Sequence, residues 1–269
     1  MAGNSATTSI DQEAGGEVPR EHKIPRLLSK GYFMAEVTPA HADILLLACC
    51  LISGFLDSVV YGAWGTFVSM QTGNTIFIGL GASGQNSGKP FRWAKSLTSI
   101  VCFSLGSLFF SRFARLLTPL RRRTLVLSFL IQALIVWITA IIVQTGILNG
   151  EVGLLLTTID WKQEIPIAML SFQAAGQIVT SRNLGYSEIP SVVLTSVLCD
   201  LMSDPKLTSP LTTNAKRNRR FLAFALILIG AISGGWIAKA AGGMQPVLWL
   251  AGGIKIIIVC SWTLWPEKN

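Results

Sequence analysis

Hydrophobic and polar positions divide the chain into long apolar runs separated by short charged stretches. The longest run, Thr124 to Ile147, spans 24 residues without a charge. About 20 apolar residues suffice to cross a bilayer as a helix. Asp43–Gly62, Ser96–Leu117, Phe221–Ala241 and Pro246–Trp265 read the same way. Gly65–Ser83 and Pro166–Ser203 are also apolar, but glycine and polar residues break them.

The breaks come as a pair. Met-Gln-Thr-Gly-Asn-Thr-Ile runs from Met70 to Ile76, and Val-Leu-Thr-Ser-Val-Leu-Cys follows 123 residues later, from Val193 to Cys199. A shift of 123 residues also superposes the long runs in order, so the chain reads as two pseudo-repeated halves. Polar or non-helical backbone survives at membrane depth only where protein or a water-filled cavity surrounds it. Paired interruptions in two halves point to a binding site of the kind transporters build.

Basic residues set the expected number of crossings. Arg112, Arg115, Arg121, Arg122 and Arg123 sit between two spans of the first half, and Lys206, Lys216, Arg217, Arg219 and Arg220 precede two spans of the second. Basic connections stay cytoplasmic, which favours three net crossings per half, with one broken or re-entrant segment in each. Three is odd, so the second half would be inverted. The rival arrangement has eight crossings, parallel halves and the first arginine cluster outside. The expected fold is therefore an all-α polytopic helical bundle with about six net crossings. Its parts are a disordered basic cytoplasmic tail (1–41), a first membrane repeat (42–147), an extracytoplasmic linker (148–165) and a second membrane repeat (166–269).

Composition agrees with this pattern. Apolar residues make up 51%, charged residues 13%, and the mean hydropathy is +0.53, whereas soluble domains carry about 25% charged residues. The net charge of +8 belongs to span ends and lipid headgroups, not to nucleic acid. Membrane lipid is the expected surrounding, in the plasma membrane or an endomembrane. Five cysteines lie in apolar runs without metal-ligand or disulfide spacing, and His22 and His41 stand alone. No metal, cofactor or catalytic constellation is expected, and hence no enzyme activity.

The candidate site draws on both halves. Gln71, Thr72, Gly73 and Asn74 combine amide and hydroxyl groups with a glycine that lets backbone approach a ligand; helix packing by small residues is the competing reading. Thr195 would face them from the second half, and Gln177 shares a helix face with Gln173. Asp57 lies inside the first span and Lys255 inside the last. An ionisable group at that depth normally faces the protein interior and has a partner. Lys255 would meet Asp57 or Asp200, or extend its stem to the headgroups. Trp236, Trp249, Trp262 and Trp265 suit an interfacial aromatic belt, and Gly230 and Gly234 a helix-packing face.

Gly54-Phe55-Leu56-Asp57 followed by Phe67-Val68-Ser69-Met70-Gln71-Thr72-Gly73-Asn74-Thr75 resembles the first signature of the YoaK-like membrane family, domain of unknown function 1275. Gly176-Gln177, the turn from Arg182 to Gly185 and Val192-Val193-Leu194-Thr195 resemble its second signature, with Ile178 and Ser196 departing from the pattern. Gly185 to Pro190 and Cys199 to Lys206 look like the fungal branch. The resemblance implies a multi-pass membrane protein and supplies no substrate. Two functions follow as expectations: a small-molecule or ion permease with a midplane polar site, or a non-transporting assembly or regulatory factor. The second would bind a membrane-protein partner or form a homo-oligomer.

Overall fold

The structure is a computed structural model that describes residues 30–85, 91–152, 160–189 and 194–268. Its elements are helical: α1 (Lys30–Met34), α2 (Asp43–Trp64), α3 (Gln71–Ala82), α4 (Arg92–Leu117), α5 (Arg122–Gln144), α6 (Glu164–Asn183), α7 (Leu194–Met202), α8 (Ala215–Ala241) and α9 (Gln245–Leu264). Each half thus reads long, short, long, long. Among the described residues, five helices, α2, α4, α5, α8 and α9, are long and apolar enough to cross a membrane. α6 falls outside that set because it carries Gln173, Gln177, Thr180, Ser181, Arg182 and Asn183 along its length.

Contacts between helix ends give the direction of every long helix. α2 and α8 run in parallel: Arg219 Nε pairs with Asp43 Oδ2 at 2.8 Å where both begin, and Gly54 lies against Gly230 further along. α4 and α6 are parallel too, with Lys95 donating to Gln163 just ahead of α6 and Gly106 against Phe172. α5 and α9 are antiparallel. Arg122 donates to the Trp265 carbonyl at 2.7 Å, and Trp249 Nε1 donates to Gln144 Oε1 at 2.7 Å at the other end.

One face of the bundle therefore carries the starts of α2, α5 and α8 and the ends of α4, α6 and α9. Tyr186 Oη, donating to the Pro39 carbonyl at 2.8 Å, places the turn after α6 there. The opposite face holds the α5–α6 connection, where Trp64 Nε1 donates to the Asn149 carbonyl at 2.9 Å and Met244 N to the Gly150 carbonyl at 3.0 Å. Three helices per half run face to face, and α2 and α6 point in opposite directions. The halves are inverted, and both arginine clusters fall on one basic face.

The packing partners are exchanged. α2 packs on α8 of the other half and α6 on α4, while α5 and α9 meet between them. Lipid tails offer helices no hydrophobic reason to associate, so close backbone approach takes over. A Cβ at Gly230 would overlap the Leu51 carbonyl oxygen, and one at Gly106 the Phe172 carbonyl oxygen. Outward stripes on α4 (Leu97, Val101, Leu105, Leu108) and α8 (Leu222, Ile229, Ile232, Trp236) stay exposed, as lipid-facing surfaces should.

Several expectations need correction. The tail expected to run to residue 41 ends earlier among the described residues. Val37 is fully buried and bridges to Glu267, and its N–H donates to the Leu120 carbonyl at 2.9 Å. Trp262 is buried against Phe129, not interfacial.

Candidate functional site

Two polar clusters occupy the interior. The first is built by the chain after α2. Gly65 ends that helix at φ 76°, a left-handed conformation natural to glycine. Residues 66–70 then fold back beside α2. Val68 N and Ser69 N donate to Asp57 Oδ1 at 2.8 and 3.0 Å, and Ser69 Oγ donates to Asp57 Oδ2. α3 then leaves again alongside α4, with Phe77 under the Arg92 guanidinium (3.3 Å to the ring centre) and Gly81 against Trp93. The segment is a re-entrant hairpin that begins and ends on the non-basic face.

Asn74 and Ser99 lock this hairpin. Asn74 Nδ2 donates to the Phe67 carbonyl and Gln71 Oε1, both at 2.8 Å, and reaches Ser99 Oγ at 3.0 Å. Its Oδ1 accepts from Thr66 Oγ1 at 2.9 Å and Phe67 N at 3.0 Å. Ser99 Oγ also sits 2.9 Å from Ser171 Oγ on α6, and Gln71 Nε2 donates to the Val68 carbonyl at 3.1 Å. These bonds answer the free backbone groups that a broken helix leaves at membrane depth. Asp57 meets three donors and, among the described residues, no cation. Such a set suits an ionised, acceptor-only carboxylate.

The second cluster centres on Lys255, which is fully buried in the middle of α9. Its Nζ donates to Gln132 Oε1 of α5 at 2.8 Å and to Gln177 Oε1 of α6 at 3.3 Å. Gln177 Nε2 donates in turn to Ser53 Oγ of α2 at 2.6 Å. The Phe129 ring lies 5.7 Å from the amine. Ser53 stands four residues, one turn or about 6 Å, from Asp57 along α2. The clusters are thus neighbours on one helix, yet no ion pair joins Asp57 to Lys255 among the described residues. Nearby, Trp137 Nε1, whose ring covers Gly252, and Gln173 Oε1 are buried without hydrogen-bond partners among the described residues.

The expected site is thus only partly assembled. Asp57, Gln71, Gly73 and Asn74 share the hairpin, and Gln177 and Lys255 share the lysine cluster. Thr72 and Thr195 are both exposed. α3 packs on α4 and α7 on α8, so the two threonines do not face each other across a common cavity. Lys255 meets neither Asp57 nor Asp200: Asp200 lies at the basic face, 3.6 Å from Arg220. Gln132, Ser99, Ser171 and Ser53 were missed. Ser96 and Ser99, three apart, mark the buried face of α4, and Gln132 is the lone amide well inside the longest apolar run. Those were the available signals.

Inverted halves, exchanged packing and a re-entrant hairpin over buried charges define a polytopic helical membrane protein. The family model described as a protein of unknown function (DUF1275) matches residues 45–261. The chain belongs to that family. No curated protein matches the chain, and no solved structure does.

Proposed function

We propose that the chain is a permease for a small molecule or ion, with its binding site at Lys255, Gln177 and Gln132. The observation that carries this reading is the Lys255 ammonium. It is fully buried, and among the described residues its two hydrogen-bond acceptors are neutral amide oxygens. Isolated charges at bilayer depth cost roughly 2.5–3.5 kcal/mol on insertion scales and mark ion and substrate pathways. Inverted repeats with an irregular segment near mid-depth are the frame on which many transporters are built. In this reading the basic face is cytoplasmic. Asp57 positions the hairpin, and its neighbours Gln71 and Asn74 are already occupied by internal bonds. Gly230 and Gly234, a packing face that a membrane-protein partner could otherwise use, lie within the chain against α2.

The test is flux into proteoliposomes, screened over alkali cations, inorganic anions and short carboxylates. The wild-type chain should move at least one class, and Lys255→Met should abolish that flux while the protein stays monodisperse. Flux unchanged by Lys255→Met, or none with any class, would overturn the reading.

A further inference from the structure

An apolar cavity of about 720 Å³ opens on the basic face, outside the interior clusters. Leu201 and Met202 of α7 form one wall, Leu207 and Leu211 a second, and Phe221 and Leu222 of α8 the floor. Its size falls in the roughly 300–1,000 Å³ range of small-ligand sites.

Arg217 builds the second wall. Its buried guanidinium donates to the carbonyls of Leu207 (2.7 Å), Lys206 (3.3 Å) and Ser209, which curls the connection between α7 and α8 over the start of α8. Asn214 Oδ1 caps that helix by accepting from Arg217 N at 3.1 Å.

Charge at the mouth is unbalanced. Arg219 is paired with Asp43 and Glu188, and Arg220 with Asp200 and Asp204. Lys206 and Lys216, next in sequence to lining residues Leu207 and Arg217, are exposed. Among the described residues no carboxylate pairs with either lysine or with Arg217. Phe221 and Leu222, 58% and 43% exposed, begin the lipid-facing stripe of α8 within two turns of Lys216. A greasy groove therefore continues into the bilayer surface, and a net positive rim stands at headgroup height.

We propose that this cavity holds one acyl chain of an anionic phospholipid, whose phosphate rests against Lys206 and Lys216. An inorganic phosphate would leave the apolar walls wet. A zwitterionic lipid would fill the groove but leave the rim charge unanswered. Each basic residue near an anionic headgroup is worth about 1 kcal/mol, or roughly fivefold in occupancy.

Native mass spectrometry of the full chain, released from vesicles of equal phosphatidylserine and phosphatidylcholine, reads the preference directly. Phosphatidylserine should be retained over phosphatidylcholine by at least about fivefold. The double variant Lys206→Gln, Lys216→Gln, at two exposed side chains that make no hydrogen bond or ion pair among the described residues, should equalise the two lipids. Leu207→Trp, which fills the groove, should lower the occupancy of both. Equal retention by the wild type, or a preference that survives the double variant, would overturn the proposal. So would full occupancy in Leu207→Trp, since the lysines would then be acting on the bulk membrane surface alone.

Discussion

The two broken segments occupy corresponding places in the halves and solve the same problem with opposite chemistry. After α2, the chain presents backbone N–H groups, and the Asp57 carboxylate accepts them. After α6, it presents carbonyls, and the Ser181 hydroxyl shares its one hydrogen between those of Tyr186 and Ile189, at 2.6 and 2.7 Å. The first solution needs a charge and yields a hairpin pinned deep beside α4. The second needs only a hydroxyl, and its short helix, α7, buries no more than Val197 and Leu201 among its residues. Inverted placement is shared between the halves, whereas polar chemistry is divided. The first half contributes the pinned hairpin, and the second contributes Lys255 and Gln177.

The largest effect should come from the feature the halves share. Gly230→Leu drives a side chain into the Leu51 carbonyl. Overpacking of this kind costs about 1–3 kcal/mol and occasionally more, and rigid backbone places this site at the upper end. Gly106→Leu should match it, because it strikes Phe172 in the same way. Gly235→Leu, at a glycine with open space around it, should leave the elution profile and melting temperature in detergent unchanged.

The divided chemistry predicts unequal losses of intermediate size. Asp57→Ala leaves the Val68 and Ser69 N–H groups without their acceptor, a loss of about 2 kcal/mol in all, at the lower end for two unsatisfied groups because the shortened side chain leaves room for water. Ser181→Ala removes one donor, worth roughly 1 kcal/mol. Thermal denaturation in detergent should therefore rank Asp57→Ala well below Ser181→Ala. Equal melting temperatures would mean that the two breaks are energetically alike.

The smallest effect lies in the α7–α8 connection. The Lys206 N–H and then the Asn214 amide hold Asp204 below its ordinary carboxylate pKa of 3.8. A lowered folded value stabilises the connection above that ordinary pKa, and the gain fades as pH falls through the folded value. Hydrogen-exchange protection across residues 203–214, taken relative to the intrinsic exchange rate at each pH, should fall below about pH 4 in the wild type. Asp204→Asn should flatten that dependence.

Spans were legible because twenty apolar residues in a row have few other uses, and inversion because arginines accumulate at alternate connections. The pairing of Lys255 was not legible. A partner on α5 or α6 depends on helix register and azimuth, which a charge count does not carry. Thr195 misled for a related reason. Val197 and Leu201, four apart, are what turn α7 toward the bundle, and Thr195 lies off that face. Asn74 and Thr72 are two residues apart on α3, so one is buried and the other exposed.

Exchanged packing also orders events during synthesis. Asp57 finds its donors within twelve residues, so its charge is covered as soon as the hairpin emerges. The face of α2 that receives α8 waits for about 150 more residues, on the order of ten to thirty seconds at about 5–20 residues per second. During that interval α2 sits in the bilayer with its glycine groove open to lipid or to insertion chaperones. The native bundle closes only when α8 arrives.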